Sequence, residues 1–187
     1  MRIVNATYMS LDGVIQRLWE WTFDYRSDDV AEAIHDQLFA ADALIMGRHT
    51  YDGFIGYWPT ATDETGLADR MNSIPKYVVS HGMDEPTWNN TTVLTGDDVI
   101  DQIRDLRAKP GRDILQYGYG PVTRQLIEHE LLDELRIWLH PLLVGNTRPS
   151  DQIGAVGAQA SLQLADVRSF ASGLAVLSYR SPDPETN

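Results

Sequence analysis

For about two thirds of its length the chain alternates short apolar runs with amphipathic segments; after residue 133 the amphipathic segments stop and the apolar runs continue. Strands in parallel need a crossover long enough to hold a helix, so this alternation commits the chain to an α/β sheet. The early runs are RIVNATYM (2–9), ALIM (43–46), PKYVVS (75–80), TTVL (91–94) and DILQY (113–117). Between them, SDDVAEAIHDQLFAAD (27–42) has Ser27 as an N-cap, acids in its first turn and a stripe of Val30, Ile34, Leu38 and Phe39 at helical spacing. DDVIDQIRDLRAK (97–109) is a second helix, closed by Pro110 and Gly111, and PVTRQLIEHELL (121–132) a third. A short helix from Thr50 is stopped by Pro59, and VIQRLWEWTFDYR (14–26) has no period and reads as a loop or extended arm. The late runs ELRIWLHPLLVG, SLQLADVRSF and LAVLSYR have no helix between them and extend the sheet as antiparallel edge strands. One domain over 1–180 is expected, with a frayed tail at 181–187.

Composition removes several classes of function. There is no cysteine, which excludes disulfides, thiolate zinc sites and cysteine nucleophiles. The net charge is −12, from 27 acids against 15 bases, with only two lysines, Lys76 and Lys109. Such a field disfavours nucleic acid and anionic membrane as partners, so a bound anion must be held by a few arginines and backbone N–H groups. No apolar run is long enough to span a bilayer and no leader pattern opens the chain, so a cytoplasmic protein is expected. The five histidines, at 35, 49, 81, 129 and 140, share no metal-ligand spacing, and no metal site is expected. No G-x-S-x-G elbow supports a serine hydrolase.

Two glycine breaks follow strand runs and open helices: ALIM-GRHT and ILQY-GYGPV. A helix start leaves N–H donors unpaired, and glycine lets backbone approach a ligand closely. Either break alone reads equally as an ordinary turn. A Rossmann fingerprint is disfavoured, because Thr123 stands where the third glycine after Gly118 and Gly120 belongs and the turn lies late in the chain. Trp19, Trp21, Phe23, Tyr57 and Trp58 read either as the lining of a flat ring pocket or as core.

Taken in order, YMSLDGVI, IMGRHTY, KYVVSH, YGYGPVTRQLIEHELLDELRIWLHPLLVG and the terminal LSY run resemble the dihydrofolate reductase-like superfamily. Within it they resemble the RibD C-terminal (riboflavin biosynthesis reductase) branch, from residue 2 to about 180. The resemblance implies a three-layer fold, with an eight-stranded, mostly parallel sheet, helices on both faces and NADPH across the strand ends. It implies that Gly47, Arg48, His49 and Thr50 form a phosphate turn, with Arg48 favouring a 2′-phosphate. Ser80 and His81 would flank the adenosine ribose and its phosphate; His81 reads equally as a turn cap. Gly118, Tyr119, Gly120, Pro121 and Val122 would form the turn under the diphosphate, Tyr119 departing from the small residue usual there. The backbone of Ile15 would hold the nicotinamide carboxamide, while Asp12 and Gly13 shape its loop as a turn dipeptide.

For the proton donor the candidates are Asp28, Asp29 and Glu32, which read equally as partners of the helix dipole. The implied activity is NADPH-dependent hydride transfer to a C=N or related bond of a small heterocyclic or ribosylamino-pyrimidine substrate. That is the chemistry of 5-amino-6-(5-phosphoribosylamino)uracil reductase, performed by a homodimer with the late strands as interface. The alternatives are a dihydrofolate reductase and a non-catalytic nucleotide-binding protein that retains the fold.

Overall fold

In a computed structural model of the chain, residues 1–145 and 147–181 are described; the tail expected to fray falls outside them from residue 182 onward. Eight strands form one mixed sheet: β1 (Arg2–Ser10), β2 (Ala41–Gly47), β3 (Lys76–Val79), β4 (Thr91–Leu94), β5 (Asp113–Tyr117), β6 (Glu134–His140), β7 (Gln163–Ser169) and β8 (Ala175–Arg180). Their order is β4-β3-β2-β5-β1-β6-β8-β7. The helices are α1 (Asp28–Phe39), α2 (Arg48–Ile55), α3 (Leu67–Ser73), α4 (Val99–Ala108) and α5 (Pro121–Glu128). Of the three late runs expected as antiparallel edge strands, the first, β6, instead pairs in parallel with β1 inside the sheet, because helix α5 still precedes it. Strand β8 pairs antiparallel with both β6 and β7, and β7 is the edge. Among the described residues no helix is long and apolar enough to cross a membrane.

Two compact units can be distinguished, Met1–Ile3 with Glu32–Tyr117, and Val4–Ala31 with the chain from Gly118 onward. In the first, β2 pairs in parallel with both β3 and β5, and β3 with β4. Gly47 stands opposite Val79, so the turns that follow β2 and β3 leave the sheet at the same end. Leu44, Ile45 and Met46 are all fully buried, which is why ALIM is a continuous apolar run rather than an alternating one. Ile103 and Leu106 of α4 and Met71 of α3 complete this core.

In the second unit β1 pairs in parallel with β6, from Val4 opposite Glu134 to Ser10 opposite His140. Val4, Leu126, Leu135, Ile137, Trp138 and Leu174 are buried there. The edge strand β7 is exposed along its whole length.

Local details differ from expectation for identifiable reasons. Helix α5 ends at Glu128 rather than at Leu132: Glu130 takes a left-handed conformation at φ +55°, and the N–H groups of Leu131 and Leu132 both return to the Leu126 carbonyl. That turn buries both leucines. Helix α2 begins at Arg48, two residues before the expected Thr50, and α3 was not expected at all. Residues 14–26 are tightened by 3-10 turns at Leu18–Glu20 and Phe23–Tyr25.

Candidate functional site

In the first unit Gly47 ends β2 and starts α2, and no side chain caps the helix. Its leading N–H groups are thus presented beyond the strand end with the positive end of the helix dipole behind them. Arg48 lies along the first turn: Nε donates to both oxygens of Asp52, at 2.7 and 2.9 Å, and Nη1 donates to the Gly82 carbonyl at 3.3 Å. One guanidinium therefore ties the turn after β2 to the turn after β3. Its Nη2 has no acceptor among the described residues. Ser80 accepts the Gly82 N–H at 3.3 Å, and its own N–H donates to the Leu94 carbonyl at 3.1 Å. His49 and His81 are exposed and Thr50 is half-buried. The pairing of β2 with β3 thus brings the GRHT turn and the Ser80–His81 turn together.

In the second unit the turn after β5 is held from beneath by side chains of β1. Asn5 Nδ2 donates to the Gly118 carbonyl at 2.6 Å, Thr7 Oγ1 donates to Asn5 Oδ1 at 2.8 Å, and the Gly118 N–H reaches the Ala6 carbonyl at 3.1 Å. Thr123 Oγ1 accepts the Gly120 N–H at 3.2 Å. Asn5, Thr7 and Thr123 are all buried, so each must find partners, and the glycine turn supplies them. Gly118 sits at φ +78°, a conformation open to glycine and costly for other residues. A Cβ added at Gly120 would meet nothing within 4 Å, so that face of the turn is open. Tyr119 is half-buried with its hydroxyl pKa raised by desolvation, Pro121 occupies the first helical position, and Val122 is buried. Asn5 and Thr7 were not singled out from the sequence; the signal was there, as polar residues within an otherwise apolar strand run, while Thr123 was noted only as a departure from the glycine fingerprint.

Ile15 is buried and its N–H donates to the Asp151 carbonyl at 2.9 Å. A carboxamide at this loop would therefore meet the carbonyl side of Ile15. Asp12 accepts from the Ser10 hydroxyl at 2.5 Å and from the N–H groups of Gly145 and Val144 at 2.8 and 3.1 Å. These donors, the serine foremost, hold its pKa down at about 2, and the carboxylate clamps the loops after β1 and β6 together.

Of the three candidate proton donors, Asp29 is fully engaged. It accepts from the Ser27 hydroxyl, from the Val30 N–H at 3.0 Å and from the Ala171 N–H at 3.4 Å. Its pKa is lowered, chiefly by Ser27, so it holds its charge rather than a proton. Asp28 is exposed in the second unit and Glu32 exposed in the first. Of the five aromatic residues noted in the sequence, Trp21 is buried, while Trp19, Phe23 and Tyr57 are more than half exposed. Trp58 stands edge-on to Phe54 in the first unit.

A separate aromatic group in the second unit surrounds His140, at the end of β6. Tyr8 and Trp21 have ring centroids 5.2 Å from the imidazole and Tyr25 has its centroid at 5.7 Å. Tyr8, at the end of β1, is half-buried with its hydroxyl pushed up to about 12 by desolvation, against the opposing charge of Arg26.

Residues 2–176 match the family model of the RibD C-terminal domain. The chain belongs to that family. As a RibD C-terminal domain it is 28% identical over 181 residues to the uncharacterized protein YyaP of Bacillus subtilis, with 95% of this chain and 94% of that one covered. It is similar in fold to a putative riboflavin biosynthesis protein of Shewanella sp. PV-4, at a TM-score of 0.76 and 21% identity, covering 98% of this chain and 100% of that one. It is also similar in fold to the dihydrofolate reductase of Enterococcus faecalis, solved in complex with NADP(H) and RAB-propyl, at a TM-score of 0.61 and 13% identity over 97% of each chain. The eight-stranded dihydrofolate reductase-like fold implied by the sequence is thus the one observed.

Proposed function

We propose that this RibD C-terminal domain is a cytoplasmic, NADPH-dependent reductase of a small heterocyclic or ribosylamino-pyrimidine substrate, akin to 5-amino-6-(5-phosphoribosylamino)uracil reductase. The observation that carries the reading is the uncapped start of α2 with the Arg48 fork spanning two strand-end turns. A planar fork of donors beside a bare helix start suits a phosphate dianion. The residues present fit the cofactor. Gly47, His49 and Thr50 would meet its diphosphate, Arg48 its 2′-phosphate, and Ser80 with His81 the adenosine ribose. Gly118, Tyr119, Gly120, Pro121 and Val122 would supply a second glycine turn, and Ile15 the backbone contact to the carboxamide.

The bound dihydronicotinamide would supply the hydride. The chain's part is to hold the two reactants in register and keep water out. Asp29, with its carboxylate committed to three donors, lends no support to the folate reductase alternative. The fold likeness to a reductase solved with NADP(H) and the family match support the cofactor. A homodimer through the late strands is supported by β7, whose Leu164 and Val167 are about half exposed on a sheet edge.

Titration with NADPH and NADH, read by thermal shift, tests the reading. NADPH is expected to bind preferentially, and Arg48→Ala to weaken it roughly ten- to a hundredfold, about 1.5–3 kcal/mol, with NADH little changed. Asp52→Ala should act in the opposite direction, because it frees Nε of Arg48 and removes a negative charge next to the incoming phosphate. Failure of both cofactors at millimolar concentration overturns the reductase reading; NADPH binding without turnover on any heterocyclic acceptor favours the non-catalytic alternative. Light scattering of wild type and Val167→Lys separates dimer from monomer.

A further inference from the structure

His140 is 2% exposed, and its Nδ1 lies 2.9 Å from the Trp138 carbonyl oxygen. A carbonyl only accepts, so Nδ1 carries the proton and Nε2 the lone pair, a tautomer that follows from this partner. Among the described residues nothing donates to Nε2. What surrounds the imidazole is aromatic: Trp21 and Tyr25 lie edge to face with it, both at 86°, and Tyr8 is tilted at 55°. Ring carbons carry no N–H or O–H, so these contacts do not satisfy Nε2. Nε2 is not among the side-chain atoms that are both buried and without a partner, so it opens to solvent and can accept from a molecule that enters there.

The rings are not sealed over. Trp21 is 7% exposed, anchored by Nε1 donating to the Gln16 carbonyl at 3.0 Å, but Tyr8 and Tyr25 are each half-buried. The group is therefore a bowl: His140 is the floor, Trp21 one wall, and the two tyrosines reach solvent. Arg26, whose guanidinium lies 4.3 Å over the Phe23 ring, adds positive potential close to Tyr8. The neighbouring Trp138, 5.7 Å from Tyr8 and stacked on Phe170, backs the bowl with fixed side chains.

We propose that this bowl is the subsite for the ring of the substrate, and that it selects a flat heterocycle presenting an N–H donor of lactam or imide type to His140 Nε2. The proposal deepens the reductase reading and rests on it only for the ring being that of the substrate. Its chemistry is selective. A ring nitrogen that carries hydrogen pairs with Nε2 while the ring faces meet Tyr8 and Tyr25. A flat hydrocarbon, or a ring with only acceptors there, leaves the imidazole unpaired or sets two lone pairs against each other. His140 is in this sense a specificity-determining residue.

The test uses lumazine (pteridine-2,4-dione) and 5-aminouracil as probes, and long-range nitrogen–proton spectra of protein labelled with 15N-histidine, the His140 signals being assigned from His140→Gln. In the free wild type, Nε2 of His140 is expected to resonate as an unprotonated ring nitrogen. Saturation with either probe should shift that resonance as a hydrogen bond is accepted, and quench tryptophan fluorescence. N-methylation of the probe's imide positions should weaken binding at least tenfold, as should His140→Phe, with NADPH affinity unchanged.

An Nε2 resonance that neither probe moves at millimolar concentration overturns the proposal, and means that a water molecule alone completes the site. If that happens while NADPH still binds, the reductase reading survives without this subsite. If the probes move His140 while NADPH fails to bind, the subsite stands and the cofactor reading falls.

Discussion

Lys76 on β3 and His140 on β6 are both buried titratable side chains, and they differ in whether their hydrogen-bonding capacity is met. Lys76 is fully buried, and Nζ donates to the carbonyls of Asn72, Ile74 and Asn89 at 3.0, 2.8 and 3.0 Å, three acceptors for three N–H bonds. Its charge also lies 4.5 Å from the centroid of the Trp88 ring. His140 has one nitrogen paired and the other facing rings. A polar group whose valences are all filled by its own chain is part of the scaffold; one left with an empty valence in a partly open bowl is prepared for something else. Lys76 also ends the count of free cations early: of two lysines in a chain of net charge −12, one is spent inside the first unit.

The largest effect is expected where the filled group is removed. Lys76→Ala leaves three carbonyls without their donor and a cavity beneath Trp88, and should cost about 3–5 kcal/mol in urea denaturation. That is a large share of the stability of an ordinary domain. Lys76→Met keeps most of the volume and should cost less.

The same pair of proteins carries a pH signature. Desolvation lowers the Lys76 pKa to about 8 from 10.5. Between those values the unfolded chain binds a proton that the folded chain does not, so wild-type stability should rise with pH through that window. Lys76→Met should lack the rise. A wild type whose stability is flat or falling there, relative to the methionine variant, breaks the account of Lys76.

A smaller effect is expected one step out from the lysine. The Tyr51 hydroxyl oxygen accepts the N–H groups of Thr87 and Trp88 at 3.0 and 3.1 Å, while Trp88 Nε1 donates to Asn72 Oδ1 at 2.7 Å. Tyr51 therefore fixes the backbone from which Trp88 covers the ammonium, and Asn72 serves both the lysine and the tryptophan. Tyr51→Phe removes one atom and strands two N–H groups, at about 1–2 kcal/mol. Combined with Lys76→Met it should fall short of additivity, because the two share the Trp88 contact.

How much of this was legible in the sequence depends on how local the signal is. The alternation, the uninterrupted ALIM run and the acid-rich start of α1 are local, and each led to the element observed. The seven residues of α3 have no such mark: its N-cap is Gly66 in a left-handed conformation and its two buried residues, Ala68 and Met71, are too few to make a stripe. The GRHT turn was legible as a composition, but Arg48's contacts were only half so, since Asp52 is one helical turn away and Gly82 lies across a strand pairing. Lys76 was invisible because a lysine in a strand run ordinarily faces water; its acceptors come from residues 72, 74 and 89 and exist only once β3 is pinned between α3 and the approach to β4. His140 had no metal-like spacing to advertise it, and its ring of neighbours spans residues 8, 21 and 25.

The smallest effect on stability should come from the residue with the largest proposed effect on binding. His140→Phe retains the ring contacts with Tyr8, Trp21 and Tyr25, removes an acceptor that has no donor, and gives up one bond to the Trp138 carbonyl. The gain and the loss are of similar size, so the net change should lie within about 1 kcal/mol of zero in either direction, measured by the same urea denaturation. Asn5 provides the control, being a buried polar group whose Nδ2 is bonded at 2.6 Å to Gly118 and whose Oδ1 accepts from Thr7 at 2.8 Å. Asn5→Leu should cost roughly 2–3 kcal/mol because the partners stay behind unpaired. If His140→Phe costs as much as Asn5→Leu, the second imidazole nitrogen is paired after all, and His140 belongs with Lys76 as scaffold. If it costs almost nothing, the empty valence is real and the division between the two buried groups holds.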